Sequence, residues 1–355
     1  MLKEIVNKFF PGKTVVEVSP YGNGHINDTY KVRLEGEAEP LILQKINVAV
    51  FTNPDGLVDN HIKIQRFLEE KKSDIEIPSL CPVSAGGYLH IDASDGVWRM
   101  MNFITDSYSI GIVTQEWQAS QAGNGYGWFA KSCSSLDASD FVEAIKDFHR
   151  LSFRVGQLDE AIEGDKAGRL AGVQELVDFY KERQEKLMVI ERMVDAGEIP
   201  LRVVHNDTKI DNLLFRGEKA CAVIDLDTVG PGILYYDFGD SIRTISNSAA
   251  EDEKDLSKVK FNTDAYREFA RGYLEQVKSI STPGETGRYY LAPVLMTYIM
   301  GIRFLADYLN GDVYYKTGYP EHNLKRSSVQ RRLIECMEEE ESYMKKVITE
   351  ILEVK

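Results

Sequence analysis

Residues 203–227 read VVHNDTKIDNLLFRGEKACAVIDLD, and their layout decides how the rest of the chain is to be understood. His205, Asp207, Lys209 and Asn212 fall close together, and Asp225 and Asp227 follow 13 residues after Asn212. Two short apolar runs, LLF (213–215) and CAVI (221–224), flank a glycine-containing break and predict a hairpin of paired strands. Carboxylates at the ends of buried strands are costly unless something uses them.

Size and composition narrow the uses. The chain has 355 residues, 43% apolar and 28% charged, which suits one large bilobal unit or two domains of ordinary globular character. A formal net charge of −14 argues against a general nucleic-acid or anionic-membrane binder, so an anionic ligand would need local cations or metal ions. Cysteines 81, 133, 221 and 336 form no CxxC pair and read as reduced buried thiols. MLKEIVNKFFPG at the N-terminus lacks the apolar core of a secretory signal. The longest apolar run, LAPVLMTYIMGI (291–302), meets Arg303 well short of the roughly 20 residues that span a bilayer. A cytoplasmic protein without membrane attachment is expected, a monomer or weak dimer.

Strand patterns dominate the first hundred residues: TVVEVSP (14–20), DTYKVRLEG (28–36), PLILQKIN (40–47), GGYLHI and VWRMMNFI (97–104), with one helical stripe over 53–72. Beyond residue 105 helical periodicity takes over, in 140–153, 170–197 and a long terminal segment from Lys325. The expected fold is therefore α+β: a small N-terminal antiparallel sheet with one helix over 1–104, and a larger, mainly helical unit over 105–355.

Phosphoryl transfer would account for the hairpin. It needs cations to neutralise a triphosphate and a carboxylate to orient the attacking hydroxyl and take its proton. Asn212 and Asp225 offer the oxygen ligands that magnesium prefers, one from each arm of the hairpin. Asp207, five residues before Asn212, can face the acceptor hydroxyl, and Lys209 can meet charge developing on the transferred group. His205 reads as a holder of the loop. Carboxylates that merely cap turns are the plain alternative for each Asp alone, but not for the whole set at this spacing.

HNDTKIDNLLF followed by VIDLDTVGPGILYYDFGD resembles the aminoglycoside phosphotransferase and choline kinase family, which has a bilobal protein-kinase-like fold. The resemblance implies that Asp207 is the catalytic base and that Asn212 and Asp225 bind Mg2+, with Asp227 as a further acid at the metal. It also implies that DFGD (237–240) is not the metal motif, and that Asp237 and Asp240 hold loop and helix structure. Where family members commonly carry a small residue, often Gly, this chain has Asn206.

Other stretches complete an ATP site. YGNGHINDTYKV (21–32) places Gly22, Gly24 and Asn27 in a turn between strands, where backbone N–H groups can approach phosphates. Lys45 is the candidate strand lysine for the phosphates, with an outward-facing strand lysine as the plain alternative. Asp59, Glu69 and Glu70 are available as its partner, and none is singled out. Met101, Asn102 and Phe103 fall where a hinge would meet adenine.

Two stretches stand out for the acceptor, 297–328 and GNGYGWFAKSCSSLD (123–137). Arg303 and Asp307, four apart on a helix, with Tyr314 and Asn323 suit a polyhydroxylated acceptor. GIRFLADYLNGDVYYKT, with QKIN, GHINDTY and HNDTK, is similar to the N-acetylhexosamine 1-kinase branch of the family. That similarity implies phosphorylation of the anomeric hydroxyl of N-acetylglucosamine or N-acetylgalactosamine, with Asp207 on the reactive hydroxyl and Arg303 and Tyr314 on ring substituents. A choline or ethanolamine kinase would want an aromatic cage, for which Trp117, Tyr126 and Trp128 are available. An aminoglycoside kinase would want an acidic pocket, and a catalytically silent nucleotide-binding protein is the rival outside the enzymes. No GxxxxGK[ST] occurs, which excludes a Walker-type NTPase.

Overall fold

Alternation in the first hundred residues produces one antiparallel sheet with a separate core on each face. In the computed structural model, which describes residues 2–22, 26–71 and 75–353, this part runs α1 (Leu2–Phe9), β1 (Val15–Pro20), β2 (Asp28–Leu34), β3 (Leu41–Ile46), α2 (Pro54–Glu69), β4 (Leu80–Cys81), β5 (His90–Ile91) and β6 (Val97–Asn102). The strands pair in the order β1-β2-β3-β6-β4, with β5 on β6. Val32, Leu43, Trp98 and Met100 pack with Ile5, Val6 and Phe9 of α1 on one face. Ile42, Ile46, Val97 and Met101 pack with Leu57, Val58 and Ile62 of α2 on the other. The small lobe thus holds two helices where the sequence pattern predicts one; α1 is too short for its stripe to register as a period.

The α2 face is the one that meets the rest of the molecule. Asn60 of α2 is buried, and its Nδ2 donates to Val142 O (2.8 Å) and Val229 O (3.0 Å). Because side chains alternate along a strand, only residues on this face can reach the interlobe junction.

The chain continues through β7 (Tyr108–Ser109), α3 (Glu116–Cys133), α4 (Leu151–Gly164), α5 (Gln174–Asp195), β8 (Arg202–Val204), β9 (Leu213–Arg216), β10 (Lys219–Val223) and β11 (Gly230–Gly232). It then runs through α6 (Leu234–Ile245), α7 (Thr263–Val277), α8 (Pro283–Thr286), α9 (Ala292–Leu309), α10 (His322–Glu339) and α11 (Glu341–Glu353). β7 pairs with β9 instead of the first sheet, so the chain has left the small lobe by Tyr108. The predicted hairpin exists as β9 and β10, and β8 pairs with β11 behind it. The α+β bilobal architecture is the expected one.

Three local expectations change. Residues 141–150 are irregular instead of helical, and α4 begins only at Leu151. Val142 gives its N–H to Asn60 Oδ1 (3.1 Å) and its carbonyl to Asn60 Nδ2, so the backbone groups a helix would use are committed to α2. The glycines of 123–127 lie inside α3 and do not form an acceptor loop. A Cβ on Gly123 would stand 2.3 Å from Phe269 O and one on Gly127 2.8 Å from Tyr273 O, so these glycines let α3 and α7 approach closely. The long terminal helix expected from Lys325 is two helices, α10 and α11, parted at Glu340. By length and composition Tyr289–Leu309 could cross a membrane, yet 83% of its apolar window is buried inside the fold, as in a core helix.

Candidate active site

The loop after β8 is held from beneath by α6. Asp237 is fully buried, and its two carboxylate oxygens accept the backbone N–H groups of His205 (2.9 Å) and Asn206 (2.8 Å). Thr208 Oγ1 donates to Asp237 O (2.6 Å), and Ser241 Oγ donates to Thr208 O (2.9 Å). Burial pushes the Asp237 carboxyl up to about 6 even though the two N–H donors favour its anion. Asp240 is paired with Arg243 at 2.8 Å, both buried. DFGD is therefore a brace for the loop, as the resemblance implied.

His205 and Asn206 show why the loop takes its shape. Asp207 N–H points at His205 Nδ1 (3.3 Å), which leaves Nε2 to donate to Ile224 O (2.9 Å), so one buried imidazole ties the loop to the end of β10. Asn206 has φ +63°, in the left-handed region where Gly is favoured and Asn is among the best tolerated side chains. Its amide donates to Thr228 O at 3.0 Å, a bond glycine could not make.

Asp207, Lys209, Asn212 and Asp225 converge above this base. Asp207 Oδ2 lies 3.2 Å from Lys209 Nζ, and Asn212 Nδ2 donates to Asp207 O (2.9 Å) and Oδ2 (3.1 Å). Burial alone would raise the Asp207 carboxyl; Lys209, His205 and Arg243 together outweigh it and hold the group below its ordinary value. The same pairing raises Lys209, mainly through the Asp207 charge. Asp225 follows β10 with φ +61° and stays open to solvent, a strained position for an aspartate. Although the side chain reaches solvent, the protein packed around it strips part of its hydration, and this desolvation, then the charges of Asp227 and Asp207, pushes it up to about 7.

A carboxylate crowded by two others is a place where a cation is wanted. Asn212 spends its Nδ2 on Asp207, and no hydrogen bond engages its Oδ1 among the described residues. No cluster of three or more His, Cys, Asp or Glu forms a metal cage among those residues. Magnesium commonly takes one or two protein oxygens and completes its shell with phosphate and water. Asp225 and Asn212 fit that demand.

Asp227 is placed differently. Its Oδ1 lies 2.5 Å from Arg99 Nη2, with both side chains 3% exposed, and its Oδ2 accepts from Asn27 Nδ2 at 2.6 Å. Its Oδ2 is thus engaged by the small lobe, and its Oδ1 faces the Arg99 guanidinium as an ion pair without a hydrogen bond, so the contacts place Asp227 as the acid that ties the loop after β10 to the small lobe. Arg99 Nε and Nη2 also share Gln44 Oε1, at 3.0 and 2.7 Å.

Arg99 is the residue the sequence reading missed, and Lys45 is the one it misplaced. Gln44 and Lys45 are neighbours on β3, so they point to opposite faces. Gln44 takes the α2 face with Arg99, whereas Lys45 lies beside Trp98 on the α1 face, its Nζ 5.8 Å from the ring centroid. The three acids of α2 do not serve Lys45 either. Asp59 pairs with Lys63 on the helix surface, Glu69 accepts from Gln65, and Glu70 caps the helix. A lone arginine inside the apolar strand VWRMM was the available signal, because an isolated buried guanidinium needs a partner.

The remaining nucleotide candidates are distributed along the junction. Met101 is buried on the α2 face, and Phe103 lies under Lys31 Nζ (4.1 Å) with Tyr21 edge-on at 5.4 Å. Asn102 pairs with Ser79 and belongs to the sheet. Gly22 has φ +78°, the conformation a tight turn asks of glycine. Gly24 lies outside the described residues.

On the helical side, Arg303 and Tyr314 line a cavity of about 220 Å³ together with Arg154, Gln157 and Tyr315. The Arg303 guanidinium stands 5.0 Å from the Phe148 ring and 5.6 Å from that of Tyr315. Asp307 does not pair with it. Its oxygens accept the N–H groups of Val313 (2.9 Å), Tyr314 (2.8 Å) and Tyr315 (2.9 Å), and Asn323 Nδ2 (2.9 Å). Asn323 is fully buried and also donates to Asp312 (2.9 Å). Asp307 therefore sits in the cavity wall with its carboxylate already committed, Asn323 braces it from behind, and Arg303 and Tyr314 line the same space.

His149, also missed, links that wall to the loop. Its Nε2 donates to Asn206 O at 2.8 Å and its ring packs on Tyr236. Burial, with Arg303 and Arg154 nearby, lowers it to about 3 and keeps the ring neutral. The aromatic cage does not form: Tyr126 is fully buried with its hydroxyl on Lys209 O (2.5 Å), and Trp117 sits edge-on against Phe215.

Comparison with known proteins gives a family match and a shared fold. Residues 17–273 match the model of the phosphotransferase enzyme family. An ADP-bound aminoglycoside phosphotransferase has a similar fold, with TM-score 0.52 and 17% identity over 94% of this chain and 97% of that one. A microcompartment-associated aminopropanol kinase gives 0.60 and 15%, covering 97% of both chains. The choline kinase of Cryptosporidium parvum gives 0.56 and 15%, covering 95% of this chain and 93% of that one.

Proposed function

The chain belongs to the phosphotransferase enzyme family, and we propose that it is an ATP- and magnesium-dependent kinase that phosphorylates the anomeric hydroxyl of an N-acetylhexosamine. One observation carries the reading: Asp207 is bonded to Lys209 and Asn212 and lies close enough to Asp225 to raise its carboxyl. That is the set of groups in-line phosphoryl transfer requires.

In this mechanism ATP binds between the lobes, with Met101 and Phe103 beside the base and Gly22 toward the phosphates. The ADP in one structural neighbour supports an adenine nucleotide as donor. Asn212 and Asp225 would hold magnesium, which neutralises triphosphate charge when bound. The sugar O1 hydroxyl donates a hydrogen bond to Asp207, which is ionised and so ready to take the proton. As O1 bonds to the γ-phosphorus, the bond from that phosphorus to the β,γ-bridging oxygen breaks and ADP departs. Lys209, held against Asp207, meets the negative charge on the transferred group.

The acceptor class rests on the cavity beside the loop. Arg303 offers a planar set of donors to hydroxyl and acetamido oxygens, and Tyr314 offers a ring face and a hydroxyl. A second guanidinium, Arg154, lines the same cavity. With Lys166 these cations outnumber the two carboxylates of the cavity, Glu160 and Asp307, and the excess positive charge disfavours the cationic acceptors, choline and aminoglycosides, that neighbouring folds are named for. The test is a panel of free hexosamines, choline and aminoglycosides with ATP and Mg2+, with products read by phosphorus NMR. An anomeric phosphate on an N-acetylated sugar is expected. Phosphate on choline or an aminoglycoside would move the acceptor elsewhere in the family, and nucleotide binding with no acceptor-stimulated ADP release would mark a silent protein.

A further inference from the structure

We infer that Arg99, acting through Asp227, is a positioning residue for the nucleotide: it ties Asn27, which leads into β2, to the hairpin that carries Asp225. The inference rests on the kinase reading for the identity of the ligand, but the latch itself stands on separate contacts. Asp227 is the meeting point of three segments. From β6 comes Arg99 at 2.5 Å; from the residue just before β2 comes Asn27 at 2.6 Å; and Asp227 itself sits two residues beyond Asp225. The far side of Asn27 is also fixed, since its Oδ1 accepts the backbone N–H of Asn47 at 3.0 Å, just past β3. Gln44 closes the network, accepting from Arg99 and donating to Thr29 Oγ1 on β2 at 3.0 Å.

Burial makes this arrangement informative. An ion pair with both members 3% exposed gives up hydration that its mutual attraction does not fully return, so stability alone is a poor reason to keep it. The pair is not even fully satisfied, because among the described residues Arg99 Nη1 and Asp227 Oδ1 are both buried without a hydrogen-bond partner, and the two side chains meet by charge and distance alone. What the pair does supply is geometry. It fixes the backbone immediately after Asp225, a residue already held at φ +61°, to the same strand that leads into Met101 and Phe103. With Lys45 on the opposite face of β3, Arg99 is also the cation that the sheet presents to the hairpin.

A latch of this kind acts on the nucleotide and not on the acceptor, whose cavity lies in the helical lobe. Asn27→Ala removes the tie to the residue before β2 and leaves the buried pair intact. Arg99→Gln/Asp227→Asn removes both charges together, so that neither is left unpaired. Nucleotide affinity of the purified protein, measured by calorimetry with Mg2+ and a non-hydrolysable ATP analogue, is compared with KM for ATP and KM for the acceptor. Each variant should weaken nucleotide binding about tenfold, and their combination should be no worse than the poorer of the two, because residues in one network are not additive. The acceptor KM should stay within about twofold of wild type, the range of an uninvolved site.

A melting temperature that falls while both KM values hold would reduce the network to ordinary packing and overturn the latch. Additive losses, about a hundredfold in the combination, would mean that Asn27 meets the nucleotide by itself and would overturn it as well. Loss of metal dependence in the charge-neutral pair variant would return Asp227 to the metal and do the same. A wild-type protein that binds no nucleotide would remove the kinase reading, a result distinct from a wild type that binds while its variants bind equally well.

Discussion

Asp237 accepts the backbone N–H of Asn206 at 2.8 Å, and so holds the residue immediately before the proposed base from inside the fold. The carboxylate sits in full burial, and a second oxygen accepts His205 N–H. Asp237→Ala would leave two buried N–H groups without acceptors, at a cost of about 2–4 kcal/mol. Thermal melts should show a large drop, and kcat should fall in the folded fraction. A variant as stable as wild type would show that the loop keeps its shape by other means.

Lys45 should be dispensable for nucleotide binding, because the pleat of β3 turns it toward Trp98 and away from the hairpin. Lys45→Ala is expected to change KM for ATP by less than about twofold, as a surface substitution does. A loss of tenfold or more would return Lys45 to the phosphates and require β3 to pair differently.

Asp225 carries a pH dependence. With its carboxyl raised to about 7 by its surroundings and by Asp227 and Asp207, protons compete with the metal for it. Below that value each pH unit should cost about tenfold in apparent Mg2+ affinity, and above it the affinity should level off. The measurement is Mg2+ titration of nucleotide binding across this range, corrected for titration of free ATP. A flat profile would separate Asp225 from the metal.

Arg303→Ala should act on the acceptor alone. Losing a charged donor to sugar oxygens costs about 1.5–3 kcal/mol, which raises the acceptor KM roughly 10- to 150-fold. KM for ATP should hold. Equal effects on both substrates would count against the cavity beside Tyr314 as the acceptor site.

How far the sequence led depends on how local each feature is. Asp207, Lys209 and Asn212 sit on one short loop, so their spacing alone carried their meeting, and the same holds for Asp225 at the end of β10. Lys45 failed because QKI puts polar residues on both faces of β3, and which face is inward is settled by how α1 and α2 pack on the sheet, which the strand's own pattern does not carry. Asp307 failed for a different reason. Its four-residue spacing from Arg303 is real, yet three backbone N–H groups of the following turn compete for its carboxylate and win. The pairing of Arg99 with Asp227 spans 128 positions and has no local pattern; only the oddity of an arginine in an apolar strand marks one end of it.

The most direct measurement is phosphate transfer by Asp207→Asn beside its affinity for ATP with Mg2+. The substitution keeps the shape and removes the proton acceptor. The account predicts that turnover falls about 10²- to 10⁴-fold, the usual share of a general base, while nucleotide affinity stays close to wild type. Turnover that persists, or ATP binding that disappears together with the fold, would contradict it.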